Sequence, residues 1–125
     1  MVWLLTGKIV LFDYFYRMNI IPQLKELAER YDVDEMDKLV EGLSSTELEE
    51  YKDEIIGAYD MIYSYGVYDL DCDKVSNPED FIFYLLGIID SIQRFYPDQM
   101  YYQERGYCYQ HLADRAVAYE DKVRY

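Results

Sequence analysis

Residues 77–97 read Asn77-Pro-Glu-Asp-Phe-Ile-Phe-Tyr-Leu-Leu-Gly-Ile-Ile-Asp-Ser-Ile-Gln-Arg-Phe-Tyr-Pro97, and they decide the fold class. Asparagine caps a helix by accepting from an orphan backbone N–H, and proline is tolerated at the first helical position. Two acids then face the positive end of the helix dipole. Phe81, Phe83, Tyr84, Leu85, Leu86, Ile88, Ile89, Ile92, Phe95 and Tyr96 follow on nearly every side, and Pro97 ends the run. A helix apolar all round belongs in a core, so other elements have to pack around it.

Outward from that helix the periodicity stays helical. Upstream, Asn19 and Pro22 open a helix with Leu24, Leu27, Ala28 and Tyr31 on one stripe. Asp34 is expected to cap a short helix carrying Met36, Leu39, Val40 and Leu43, which Gly42 and the Ser44-Ser45-Thr46 run then break. Ser44 and Glu47 fit a capping box. It starts a long helix in which Leu48, Tyr51, Ile55, Tyr59, Ile62 and Tyr65 recur at helical intervals, with Gly66 as the expected C-terminal cap and 67–77 as a loop. Residues 8–18 carry Ile9, Phe12, Phe15 and Tyr16 at helical spacing, with a strand left open. Downstream, two helices are expected at 99–112 and 114–124. With no strand pair or glycine-rich hairpin to compete, the expectation is an all-α compact bundle of about five to six helices, forming one domain over 1–125.

The charge is not spread evenly. Residues 32–80 hold sixteen carboxylates against three lysines (Lys38, Lys52, Lys74), which equals the whole chain's net charge of −13. The flanks are balanced. With half its residues apolar and sixteen of them tyrosine, the chain lacks the composition of a disordered acidic tail. Nucleic acid and anionic membranes would repel such a surface, so no direct nucleic-acid or membrane partner is expected. The apolar N-terminus, interrupted by Gly7, Lys8 and Asp13 with no basic n-region, reads as a core segment rather than a signal or membrane span. Cys72 and Cys108 show no CxxC or Cys/His spacing, which suits a reducing compartment and places the protein in the cytoplasm. Catalysis finds no residue set: His111 is the only histidine, without a nucleophile or carboxylate placed for a triad, and Glu50 and Glu54, one turn apart, fit a solvated face. The chain reads as a non-enzyme without a cofactor.

Two motifs carry resemblances. Tyr102, Gly106 and Tyr109 stand at the spacing of the large aromatic, the close-packing glycine and the inter-helix tyrosine of a tetratricopeptide repeat. Ala116, Val117, Tyr119 and Val123 are similar to that family's second helix if the turn near Ala113-Asp114 is shortened, and Pro97 precedes the unit. The resemblance implies an αα-hairpin over 98–125 and an adaptor that binds a peptide in its concave face. Asp69-x-Asp71-x-Asp73 with Asp80 resembles the calcium loop of an EF-hand, with Lys74 where glycine is required. That resemblance implies weak calcium binding by Asp69, Asp71, Asp73 and Asp80.

The leading functional expectation is a binding protein whose acidic, tyrosine-bearing middle docks a basic protein. The residues singled out are Glu47, Glu50, Asp53, Glu54, Asp60, Tyr63, Tyr68, Asp69, Asp71 and Asp73. A narrower form is an inhibitor of the antidefence or immunity type that mimics nucleic acid, since helical carboxylates one turn apart imitate phosphate spacing before a nuclease or other nucleic-acid-binding protein. Val117 and Val123, apolar on the last helix, imply that either the N-terminal segment or a second subunit of a homodimer covers it.

Overall fold

The computed structural model describes the backbone of residues 19–124 and the side chains of residues 19–116. The expected helix at 8–18, and the side chains of Val117, Tyr119 and Val123, lie outside the described residues. Among the described residues the fold is all-α: α1 (Ile20–Glu29), α2 (Val33–Glu41), α3 (Ser45–Glu50), α4 (Lys52–Asp71), α5 (Pro78–Phe95) and α6 (Tyr102–Arg124). The chain, read from sequence as one domain, divides within α4 after Ala58 into two compact units.

In the first unit α1 packs on α2. The Asn19 side chain accepts from the Ile21 N–H at 3.2 Å, and α1 buries Ile20, Leu24 and Ala28, a strict i, i+4, i+8 stripe. Tyr31, expected on that stripe, lies beyond the helix and is exposed. The cap of α2 is Asp32 rather than Asp34. Its side chain accepts from the Glu35 N–H at 3.2 Å, leaving Asp34 in the first turn where the dipole favours it. Met36 and Val40 are the buried residues of α2.

The capping box forms with both bonds: the Glu47 N–H donates to Ser44 Oγ and the Ser44 N–H to Glu47 Oε1, each 3.2 Å. The long helix expected after it is interrupted at Tyr51 (φ −102°, ψ 17°). The interruption is local, because the bonds from Tyr51 N–H to Glu47 O and from Ile55 N–H to Tyr51 O, both 2.9 Å, run through it.

In the second unit α5 packs on α6. Asn77 caps α5, accepting from the Asp80 N–H at 3.3 Å while its own Nδ2 donates to Asp80 Oδ2 at 2.9 Å. Ile82, Leu85, Leu86, Ile88, Ile89 and Ile92 are buried, joined by Tyr59, Ile62 and Leu70 from α4 and Cys108 from α6. The helix is not apolar-buried on every side: Phe83 is 60% exposed.

Gly66 does not cap α4. It is a buried residue in mid-helix, and a Cβ built on it would lie 2.6 Å from Leu85 Cδ2 and 3.3 Å from Phe81 Cζ. Helix α4 continues to Asp71 and ends in a Schellman motif, with bonds from Asp73 N–H to Leu70 O (3.2 Å) and from Lys74 N–H to Asp69 O (3.0 Å). Helix α1 ends the same way, through Tyr31 N–H to Ala28 O (3.1 Å) and Asp32 N–H to Leu27 O (3.0 Å). Both motifs place a non-glycine residue in the left-handed region, Tyr31 at φ 55° and Asp73 at φ 57°. The tyrosine Cβ crowds its own carbonyl there, so Tyr31→Gly is expected to raise stability by about 1 kcal/mol in urea denaturation. Asp73→Gly should gain less, because aspartate tolerates that region better.

The C-terminal hairpin is corrected outright. Residues 102–124 form one helix, and the bond from Gln110 Nε2 to Asp114 Oδ1 (2.9 Å) links positions i and i+4 across the expected turn. Gly106 is exposed with nothing within 4 Å of a built Cβ, so it marks no helix crossing. Tyr102 and Tyr109, the other two positions of the repeat-like pattern, are 77% and 55% exposed.

Candidate functional site

The acidic middle separates into carboxylates that hold the fold together and carboxylates left to solvent. The first kind joins α4 to α6 inside the second unit. Tyr101 Oη donates to Asp60 Oδ1 at 3.2 Å, Tyr63 Oη donates to the Glu104 carbonyl at 3.2 Å, and Tyr107 Oη donates to Asp71 Oδ1. His111, at the core edge, packs against Tyr107 with centroids 4.4 Å apart and rings tilted by 56°, and brings Nε2 to 3.9 Å from Asp71 Oδ1. Arg105 ties α6 to α5 through Asp90 (2.7 Å) and Gln93. Asp60, Tyr63, Asp71 and Tyr107 are thus struts between α4 and the chain from Tyr101 onward; Asp60 and Tyr63 are half-buried, while Asp71 makes its bond from an exposed position.

Burial shapes their ionisation. Asp60 is held above the usual carboxylate range, first by desolvation and then by repulsion from Glu104, with the Tyr101 hydroxyl opposing both. Desolvation is likewise the leading cause that pushes the Tyr63, Tyr101 and Tyr107 phenols well above the ordinary tyrosine range. Beside Tyr63, the buried thiol of Cys108 is pushed up by desolvation too. The three phenols are therefore held in their neutral, donating form.

The calcium-loop residues do not gather. Asp69 and Asp71 are helical, Asp73 occupies the left-handed position of the helix end, and Asp80 is bonded to Asn77. Among the described residues no group of three or more His, Cys, Asp or Glu could hold a metal ion. The twelve positions of the EF-hand-like pattern do not form one loop: α4 holds the first three (69–71), α5 the last three (78–80), and only 72–77 lie between. Cys72 is exposed and Cys108 buried, both free, and no helix among the described residues is long and apolar enough to cross a membrane.

The second kind of carboxylate lies in the first unit. Glu50, Asp53 and Glu54 are exposed, and so is Glu49, which sequence reasoning passed over. Ser45, Thr46, Glu49 and Glu50 line a shallow depression, and Asp53 and Glu54 follow in the first turn of α4. None of the four acids forms an ion pair with a described residue, whereas Glu35 pairs with Lys38 at 3.2 Å and Asp32 with Arg30 at 3.6 Å. From Leu39 to Asp73 the only base in the sequence is Lys52. Glu47, nominated alongside these acids, is spent on the capping box. Tyr68 is exposed and Asp69 half-buried, both on α4 in the second unit.

No family model, curated protein or solved structure matches the chain. The functional reading rests on the residues alone.

Proposed function

We propose that the protein is a non-catalytic, cytoplasmic binding protein that docks a basic protein partner on the acidic ledge Glu49, Glu50, Asp53 and Glu54. One observation carries this reading: four exposed carboxylates stand together without an ion-pair partner among the described residues. Like charges at that density repel one another and so oppose folding, a cost that a cationic surface relieves on binding. An inhibitor that occupies the nucleic-acid groove of its partner is the narrower form, since the same ledge would stand in for a run of phosphates.

The test is kinetic. A partner is captured from the native host at low salt, purified, and its association measured with the wild type and with a variant carrying Glu→Gln at 49, 50 and 54 and Asp53→Asn. The association rate should fall about tenfold or more in the variant, and the wild-type rate should drop steeply with added salt. Equal rates for the two proteins overturn the reading. Asp53→Asn and Asp71→Asn each remove a single charge, the first on the ledge and the second at a strut, and Asp71→Asn should alter the rate far less than Asp53→Asn.

A further inference from the structure

Met61, Ser64, Tyr65, Tyr68 and Asp69 surround one shallow depression on α4 in the second unit. Their spacing of three and four residues sets them on a single helix face. Tyr65 and Tyr68 are 53% and 58% exposed, whereas Tyr59 and Ile62 of the same helix are buried. A lone exposed apolar residue needs no explanation, but two exposed tyrosines beside a half-buried methionine form a continuous face open to a partner.

Charge says what that surface fits. Asp69 borders the depression, and no base occurs in the sequence between Lys52 and Lys74. Lys74 itself places Nζ 5.2 Å from the centroid of the Tyr68 ring, so that ring already holds a cation against its face. A partner that brings both apolar side chains and a cation is complementary to this surface on every count.

We propose that this face of α4 docks a basic amphipathic helix of a protein partner. The partner's apolar side chains lie on Met61 and Tyr65, one of its arginines or lysines lies between Tyr68 and Asp69, and Lys74 holds the cation position until it is displaced. This is helix-on-face recognition, with tyrosine giving large rigid contact area. The residues involved are distinct from the acidic ledge, so the proposal stands or falls separately from that reading.

The experiment uses the full chain and a fluorescein-labelled helical peptide of roughly 18 residues, built from leucine and arginine in amphipathic order. A scrambled peptide of the same composition is the control. Anisotropy is read at about 0.3 M salt, where distant charges are screened. The ordered peptide should bind about tenfold tighter than the scrambled one. Tyr65→Ala and Tyr68→Ala should each weaken it about tenfold with far-UV circular dichroism unchanged, since both side chains are exposed. Lys74→Gln should tighten binding about threefold by freeing the Tyr68 face. Lys52→Gln makes the same charge change in the first unit and should leave affinity unaltered. Equal affinity for the two peptides, no loss in either tyrosine variant, or tightening by Lys52→Gln equal to that by Lys74→Gln each overturns the proposal.

Discussion

Gly66→Leu is expected to destabilise the protein by about 3 kcal/mol or more, lowering the thermal midpoint by roughly 10 °C. A Cβ at this position already falls 2.6 Å from Leu85 Cδ2 and 3.3 Å from the Phe81 ring. Leu85 is fully buried, so its methyl group cannot swing into solvent to make room. Even Gly66→Ala should lose stability. The helix-propensity gain of about 1 kcal/mol is set against overpacking worth about 1–3 kcal/mol.

The other helical glycines provide the contrast. A Cβ at Gly57 or Gly106 meets nothing within 4 Å, so Gly57→Ala and Gly106→Ala should each stabilise by about 0.5–1 kcal/mol. Opposite signs at 66 and 57 in urea denaturation would establish that α4 and α5 approach closely at Gly66. A stabilising Gly66→Ala would refute that approach. Gly106→Leu, which a repeat-type crossing would not tolerate, should fold normally.

Tyr101→Phe is the second large effect, an expected loss of about 1–3 kcal/mol. It removes the hydroxyl that bonds Asp60 and leaves a half-buried carboxylate without that donor. Asp60→Asn should behave differently, because the amide oxygen still accepts from Tyr101 while the desolvated charge is gone. At pH 7 this variant is expected to equal or exceed the wild type, by less than about 1 kcal/mol given the partial exposure of the site. Because burial raises the Asp60 pKa, folding favours its protonated form. The contribution of this group to stability therefore recovers as pH falls through the raised value, and the difference between wild type and Asp60→Asn closes by about pH 3.

The phenols work in the alkaline direction. Folding raises the pKa values of Tyr63, Tyr101 and Tyr107, so their contribution is complete below the ordinary tyrosine value near 10 and is lost as pH climbs above it. Phenolate absorbance should lag in the native protein relative to the urea-unfolded chain. Replacing all three by phenylalanine should remove most of that lag. A wild type whose tyrosines titrate together near pH 10 would contradict the strut arrangement.

Local signals in the sequence marked most helix starts, where the partner lies within four residues. Asn19, the Ser44–Glu47 box and Asn77–Pro78 mark helix starts because the N–H groups they satisfy belong to the same turn. The capping signal failed by two residues at Asp34, where Asp32 offers the same chemistry one step before the helix. The C-terminal hairpin failed for a related reason. A tyrosine–glycine–tyrosine pattern is equally compatible with a turn ahead or with a continuous helix, and the unbroken helical backbone through 113–114, spanned by the Gln110–Asp114 bond, distinguishes them.

Much less of the candidate site was legible. Asp60 and Tyr63 stand one turn apart on α4, but Tyr63 donates to a backbone carbonyl, which any residue at 104 would supply, and only Asp60 and Tyr101 meet through side chains. Nothing local paired them, since the bonded residues stand 41 positions apart. Glu49 could have been included with Glu50, Asp53 and Glu54 on charge alone.

The sequence by itself determined the all-α class, most helix starts and the concentration of negative charge in residues 32–80. These follow from backbone hydrogen bonding, periodicity and composition, which act over a few residues. Tertiary structure decided that Gly66 is a contact rather than a cap, that the chain after Tyr101 is one helix, and that Asp60 and Asp71 accept from distant tyrosines while Glu49, Glu50, Asp53 and Glu54 do not. A carboxylate carries the same charge in either place. Its role depends on whether a distant tyrosine is brought within hydrogen-bonding reach, and packing alone arranges that.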